Sequence, residues 1–148
     1  MAKISSWRAS GCKIVFTNGC FDLLHLGHID YLAQAAGLGT KMVVALNTDA
    51  SVSRIKGPTR PICDQLSRSM VMASLEFVSA VTFFEEETPY DLIKLIQPDI
   101  LVKGADYKVE DIVGYDIVIA RGGSVETIPL VAGYSTSAIE KRIRDVKI

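Results

Sequence analysis

The stretch that most constrains the fold is residues 17–28, which read Thr-Asn-Gly-Cys-Phe-Asp-Leu-Leu-His-Leu-Gly-His. It follows the apolar run Lys13–Thr17, which is typical of a buried strand. It precedes a helical pattern whose apolar residues share one face: Ile29, Leu32, Ala33 and Ala36. The chain therefore runs from a strand through a glycine-containing turn into a helix, which is the local unit of an α/β sheet.

The first turn of this helix carries the two histidines of the chain, His25 and His28. Because residues three apart share a helix face, we expect both imidazoles to point the same way, beside free backbone N–H groups. The positive end of the helix dipole lies there too, so the turn is an anion site suited to phosphate. The alternative is that one histidine caps the helix and the other packs in the core.

The rest of the chain alternates strand-like and helix-like segments. Apolar runs predict strands at Met42–Leu46, Ala80–Phe84, Ile100–Lys103 and Val125–Ile128. Helical patterns lie near Asp64–Phe77, from Thr88, between Asp111 and Arg121, and from Ser135. The predicted apolar face of the helix near Asp64–Phe77 is Leu66, Met70, Ala73 and Phe77. The helix from Thr88 has Thr88 as its cap, Pro89 in its first position and Leu92, Ile93 and Ile96 on its buried face. The last helix is predicted to bury Ile139, Ile143 and Val146. Continuous apolar strands between helices predict a single α/β domain with a parallel sheet.

Length and charge narrow the class of protein. A chain of 148 residues is one domain, 1–148, in which residues 1–12 form an N-terminal extension. Sixteen basic and seventeen acidic residues give a net charge of -1, which argues against a nucleic-acid or membrane-surface binder. No apolar run approaches the roughly 18 residues of a membrane span, and the N-terminus does not resemble a signal peptide. Cys12, Cys20 and Cys63 are interpreted as free thiols of a cytoplasmic protein.

A cluster of cations follows the second predicted strand. Arg54, Lys56, Arg60 and Arg68 fall within fifteen residues, and Asp64 is the acid among them. A solvated basic surface is the simplest explanation, and for Arg54 it is as good as a functional one. Lys56 differs because Gly57-Pro58 follows it, which suggests a shaped loop after the strand.

Two further segments place polar groups beside predicted strand or helix ends. Lys103 and Asp106 lie just after a strand, where Gly104 lets the backbone approach a ligand closely. Ser135–Ser137 opens the last helix, where hydroxyls and free N–H groups make a second site for phosphate or base. A simple N-cap explains Ser135 equally well.

Taken together, four segments resemble the nucleotidyltransferase superfamily that carries an H-x-G-H signature. They are Cys20–His28, Asn47–Pro58, Leu101–Tyr107 and Ile128–Ile139. Their order and spacing are most similar to the adenylyltransferase domains that make ADP-heptose from D-glycero-β-D-manno-heptose 1-phosphate. The similarity runs from about Lys13 to Arg144.

The resemblance implies a Rossmann-like, doubly wound sheet of five strands in the order 3-2-1-4-5. It implies catalytic roles for His25, His28 and Lys56. Expected nucleotide contacts are Asn18, Gly19, Cys20, Phe21, Gly27, Arg68, Lys103, Gly104, Tyr134, Ser135, Thr136 and Ser137. Expected substrate contacts are Asp22, Asn47, Asp49, Arg60 and Asp106. No spacing specifies a protein-held metal, and Mg²⁺ is expected to arrive with ATP.

The implied reaction joins ATP to a sugar 1-phosphate in the cytoplasm. A separate heptose kinase would supply the acceptor, and a homodimer is a further expectation. Relatives that use CTP carry an arginine five residues before the helix-opening serine, where this chain has Leu130. A cytidylyltransferase for glycerol 3-phosphate or a similar small phosphate is the alternative within this class. A non-catalytic nucleotide-binding module is the alternative outside it, although His25, His28 and Lys56 are all present.

Overall fold

The computed structural model of the protein describes residues 1–104 and 108–146. The elements in chain order are α1 (Ala2–Ala9), β1 (Ile14–Gly19), α2 (Leu26–Ala36), β2 (Lys41–Asn47), α3 (Asp49–Lys56), α4 (Gln65–Ala73), β3 (Ala80–Phe84), α5 (Tyr90–Ile96), β4 (Ile100–Gly104), a 3₁₀ turn (Val109–Asp111), α6 (Tyr115–Ala120), β5 (Ser124–Ile128) and α7 (Thr136–Asp145). Every helix in these two ranges is too short or too polar to cross a bilayer.

The five strands form one parallel sheet in the order β3-β2-β1-β4-β5, which confirms the predicted fold and strand order. Successive residues of β1 point to opposite faces of the sheet. Ile14 and Phe16 belong to one apolar cluster, and Val15 belongs to the other. Because both faces are covered, the central strands are buried, as the continuous apolar runs predicted.

Two helices lie where the sequence predicted none. Residues 1–12, expected only as an extension, contain α1, whose Ile4 is buried in the core. The cation-rich segment after β2 was predicted as a loop, but it forms α3. Thr48 caps this helix, because its hydroxyl accepts a hydrogen bond of 3.2 Å from the Ser51 N–H.

Two predicted apolar helix faces and one predicted helix start were wrong in detail. Helix α4 ends at Ala73, so Phe77 lies outside it, and Leu66 and Met70 are exposed while Arg68 and Met72 are buried. Ile143 of the last helix and Val146, which follows its end at Asp145, are also exposed. Helix α5 begins at Tyr90, with Pro89 rather than Thr88 at its N-cap. Periodicity predicts a helix, but the neighbouring elements decide which face is buried.

Candidate active site

The centre of the sheet is the point where the strand order reverses. Strand β1 is hydrogen-bonded to β2 on one side and to β4 on the other, so crossovers leave it and β4 in opposite directions. In open parallel sheets, ligands bind at the carboxyl ends of the strands beside such a switch point. Asn18 and Gly19 end β1 here, and Lys103 and Gly104 end β4.

Two adjoining cavities open at this edge. The histidine cavity, of about 220 Å³, is lined by Asn18, Gly19, Cys20, Phe21, Asp22, His28, Tyr31, Lys56, Lys103, Gly104, Leu130 and Thr136. The carboxylate cavity, of about 450 Å³, is lined by Asn18, Gly19, Cys20, Asn47, Ile55, Phe84, Glu87, Thr88, Pro89, Lys103, Asp111, Ile112 and Val113. The residues common to both are Asn18, Gly19, Cys20 and Lys103, which therefore form the wall between them.

A larger cavity, of about 510 Å³, lies among Arg8, Lys13, Asp99 and Arg121 at the opposite edge of the sheet. Size alone would favour it. It surrounds the amino ends of the strands, however, and open parallel sheets do not place their ligand sites there. We therefore assign the site to the two cavities at the carboxyl edge.

The structure stacks the two histidine rings at the start of α2. His25 occupies the N-cap, and its ring centroid lies 3.8 Å from that of His28 at an interplanar angle of 19°. The ring of Phe21 meets His28 edge-on at 5.2 Å. Phe21 itself has a φ of 45°, a strained conformation that often marks functional sites.

Burial keeps both imidazoles neutral near pH 7. It lowers the pKa of His28 to about 4, and the neighbouring His25 and Lys56 act in the same direction. Burial also lowers the pKa of His25. The Nδ1 atoms of both rings are buried and have no hydrogen-bond partner among residues 1–104 and 108–146. A neutral imidazole has one N–H donor, so the pair can offer two donors to an anion.

Gly27 lets the start of α2 pack closely against neighbouring side chains. A Cβ at this position would lie 3.2 Å from the His25 ring and 3.3 Å from the Tyr134 side chain. The start of α2 therefore packs directly against the segment that leads into α7. Among the hydroxyl residues predicted there, Thr136 lines the histidine cavity. Ser135 caps α7 by accepting a hydrogen bond of 3.1 Å from the Ala138 N–H.

The cations near the site have different surroundings. Lys56, at the end of α3, lines the histidine cavity, whereas Arg54 pairs with Glu85 at 3.5 Å on the exposed surface. Lys103 donates a hydrogen bond of 2.9 Å to Asn18 Oδ1, and burial lowers its pKa. The structure thus places Lys56 and Lys103 at the cavities and Arg54 outside them.

Arg68 is buried, with 3% of its surface exposed, and its guanidinium is hydrogen-bonded to backbone carbonyls of three residues. It donates to the carbonyls of Cys63, Cys20 and Asn47 at 3.0, 2.7 and 2.8 Å, and to Asp49 Oδ1 at 2.7 Å. All three guanidinium nitrogens are engaged in this way. In the structure Arg68 therefore positions these backbone segments together with Asp49, and its contact with phosphate stays a prediction.

Asp22 and Arg60, predicted to touch substrate, bind each other instead. Asp22 accepts hydrogen bonds from the N–H groups of Ile62 and Cys63 and from the Arg60 guanidinium, the last at 2.7 Å. Burial would raise the pKa of Asp22, but these donors outweigh it and hold the pKa below its usual range. The structure therefore pairs these two side chains with each other, and their contacts with substrate stay a prediction.

Two other predicted substrate contacts and one unpredicted residue remain. Asn47 lines the carboxylate cavity, and its amide donates a 3.0 Å hydrogen bond to Ser51 Oγ. Asp106 lies outside the described residues. Sequence reasoning missed Tyr31, whose hydroxyl lies 2.6 Å from Thr17 Oγ1 on the wall of the histidine cavity. No motif or spacing in the sequence singles out Tyr31.

Comparison with known proteins identifies the family. The family profile described as cytidylyltransferase-like matches residues 16–142, which includes both histidines, Lys56 and the start of α7. The chain belongs to the cytidylyltransferase-like family. It is therefore a nucleotidyltransferase domain, and the matched range contains the segment His25-Leu26-Gly27-His28, which resembles the H-x-G-H signature.

Individual proteins of known name show what the chain is similar to within this family. The chain is 51% identical to the bifunctional protein HldE of Azorhizobium caulinodans, over 97% of this chain and 30% of that protein. It is 53% identical to the HldE protein of Hahella chejuensis, over 93% and 29%. The chain thus spans about 30% of the length of these relatives. The crystal structure of a lipopolysaccharide core biosynthesis protein from Thermoplasma volcanium superposes with a TM-score of 0.66 at 28% identity, covering 82% of this chain and 98% of that one.

The low pKa of His28 makes stability depend on pH. The folded chain holds this pKa at about 4 against an ordinary 6.5, so the unfolded chain binds more protons between these values. Stability is therefore complete above about pH 6.5 and falls as the pH drops toward 4. Because the ring is partly exposed, the full shift of about 3 kcal/mol reduces to about 1–2 kcal/mol. We expect His28→Asn to lose less stability than the natural chain between pH 7 and pH 4.5, as measured by urea unfolding. Parallel pH profiles for the two proteins would contradict this explanation.

Proposed function

We propose that the chain transfers AMP from ATP to a sugar 1-phosphate, and that the acceptor is D-glycero-β-D-manno-heptose 1-phosphate. The products would be ADP-heptose and pyrophosphate. The observation that carries the proposal is the histidine cavity at the switch point, which is lined by Lys56 and by His28, whose ring stacks on that of His25. The similarity to HldE proteins across nearly the whole chain supports the choice of acceptor.

The reaction needs alignment and charge stabilisation more than a base. An oxygen of the acceptor phosphate, already ionised near pH 7, attacks the α-phosphorus of ATP and forms a new P–O bond. The bond from the α-phosphorus to the bridging oxygen breaks, and pyrophosphate leaves with the electron pair. Charge on the phosphate oxygens is stabilised by the N–H donors of His25 and His28 and by the ammonium of Lys56.

The two cavities suit the two substrates. The triphosphate fits the histidine cavity, where the cations and N–H donors lie. The larger carboxylate cavity combines Glu87, Thr88 and Asp111, which can bind hydroxyls, with the apolar walls of Ile55 and Phe84. Its sugar phosphate would reach the α-phosphorus across the shared wall. Lys103 stands on that wall, where it can contact both reacting phosphates.

Mg²⁺ is proposed to enter with ATP rather than to reside in the protein. Within residues 1–104 and 108–146, no group of three or more histidine, cysteine or acidic side chains could hold a metal ion. Asp22, which lines the histidine cavity, accepts hydrogen bonds from Arg60, Ile62 and Cys63. The phosphates would therefore supply the ligands of the ion, whose chemistry would be to neutralise part of their charge.

We further propose that the chain acts in the cytoplasm, where ATP is available. A heptose kinase activity would supply the sugar 1-phosphate. A homodimer is proposed as the assembly. The alternative function is a cytidylyltransferase, which the family description alone would equally permit.

Nucleotide choice separates the two functions. Leu130, at the position where CTP-using relatives carry arginine, lines the histidine cavity. We expect ATP to exceed CTP by at least about tenfold in kcat/KM, or about 1.4 kcal/mol in transition-state binding. Pyrophosphate release with each nucleoside triphosphate, Mg²⁺ and a panel of sugar 1-phosphates and glycerol 3-phosphate measures this. Leu130→Arg is the matched variant and should lower the ratio. Equal rates with CTP would favour the alternative.

A further inference from the structure

One arginine joins three segments around the histidine cavity. Arg60 donates one hydrogen bond of 2.7 Å to Asp22, in the turn between β1 and α2, and another of 2.7 Å to Glu140, in α7. The side chains of Arg60 and Glu140 are 14% and 24% exposed, and that of Asp22 is fully buried. Such partly buried, short ion pairs are screened less by solvent than surface pairs.

Helix α7 has few other contacts that fix its position. None of its residues, Thr136–Asp145, is buried. Among the residues that the structure describes, the pair with Arg60 is the salt bridge that α7 makes. Yet this helix brings Thr136 to the histidine cavity, which His28 also lines. A small number of contacts therefore sets the geometry of one wall of the site.

We propose that Glu140 is a positioning residue for nucleotide binding, acting through Arg60 and Asp22. The ion pair ties α7 to the β1–α2 turn, so that Thr136 is already in place when the nucleotide arrives. Without it, the nucleotide must order α7 as it binds, which costs affinity. The chemical step changes little, because His28 and Lys56 lie on other elements. This inference rests on the proposed function of the cavity.

The test compares two neutralised acids on the same helix. Glu140→Gln removes the pair, and Asp145→Asn removes an exposed charge of the same sign from the last residue of α7. We expect Glu140→Gln to weaken binding of Mg²⁺-ATP, measured by calorimetry without acceptor, by about fivefold. Its kcat should change by less than about twofold. Hydrogen exchange of the α7 amides should speed up in Glu140→Gln but not in Asp145→Asn.

A double-mutant cycle separates this tether from a general loss of stability. If Glu140 acts through Arg60, then Glu140→Gln should add less than about twofold in an Arg60→Gln background. Unchanged exchange and ATP affinity in Glu140→Gln, or equal effects of Asp145→Asn, would overturn the proposal. So would a full, additive effect in the Arg60→Gln background. If the natural chain failed to bind ATP at all, the proposed function would be overturned, whereas the exchange data would still report whether the pair holds α7.

Discussion

We expect His28→Ala to lower kcat by about 10²–10³-fold while changing the affinity for ATP far less. The reason is that His28 offers its N–H to charge that grows on phosphate oxygens in the transition state, and interactions confined to that state appear in kcat. Its neutral ring, held against His25 at 3.8 Å and against Phe21 at 5.2 Å, is preorganised and needs no rearrangement during the reaction.

Three measurements test this prediction. Steady-state kinetics give kcat, and calorimetry with Mg²⁺-ATP gives the affinity. Thermal unfolding shows whether the variant is folded, since removing the ring leaves space beside Phe21. Gln34→Ala is the matched control, because Gln34 is exposed on the same helix and bonds only to Asp30 in the described structure. Retention of more than about a tenth of kcat by His28→Ala would remove His28 from the chemistry.

Local pattern was enough to predict the central features of the fold. The apolar run before Thr17 and the helical spacing after His28 gave strand β1 and helix α2. The two histidine rings do lie side by side, as expected, although His25 is the N-cap of α2 and not a residue of its first turn. These features depend on contacts between near neighbours in the chain, and such contacts follow from periodicity and from the geometry of a helix start.

What the sequence did not reveal depends on residues far apart in the chain. A charged residue such as Arg68 is expected at the surface, and it is buried only because the fold brings carbonyls of Cys20, Asn47 and Cys63 around it. The link between Arg60 and Glu140 spans 80 positions. The same holds for α4, whose apolar stripe predicted a helix but not that Arg68 would turn toward the sheet.

The second large effect is expected at the end of α3. Lys56→Ala should lower kcat/KM for ATP by about 10–100-fold, because a charge-assisted hydrogen bond to phosphate is worth about 1.5–3 kcal/mol. Arg54→Ala should change it by less than about twofold. The two cations are two residues apart and differ in direction: Lys56 lines the histidine cavity, and Arg54 lies against Glu85 on the surface.

Salt dependence distinguishes a specific contact from a basic surface. Diffuse attraction between exposed charges weakens as the Debye length falls from about 10 Å at 0.1 M salt to about 3 Å at 1 M. Lys56 is exposed too, but a direct contact between its ammonium and the triphosphate is shorter than the Debye length and keeps most of its effect. Its flexible point charge can follow pyrophosphate as it leaves. We therefore expect the loss in Lys56→Ala to persist at both salt concentrations. If Lys56→Ala and Arg54→Ala lower kcat/KM equally and both losses vanish in high salt, then α3 attracts nucleotides only by diffuse charge. Lys56 would then lose its catalytic role.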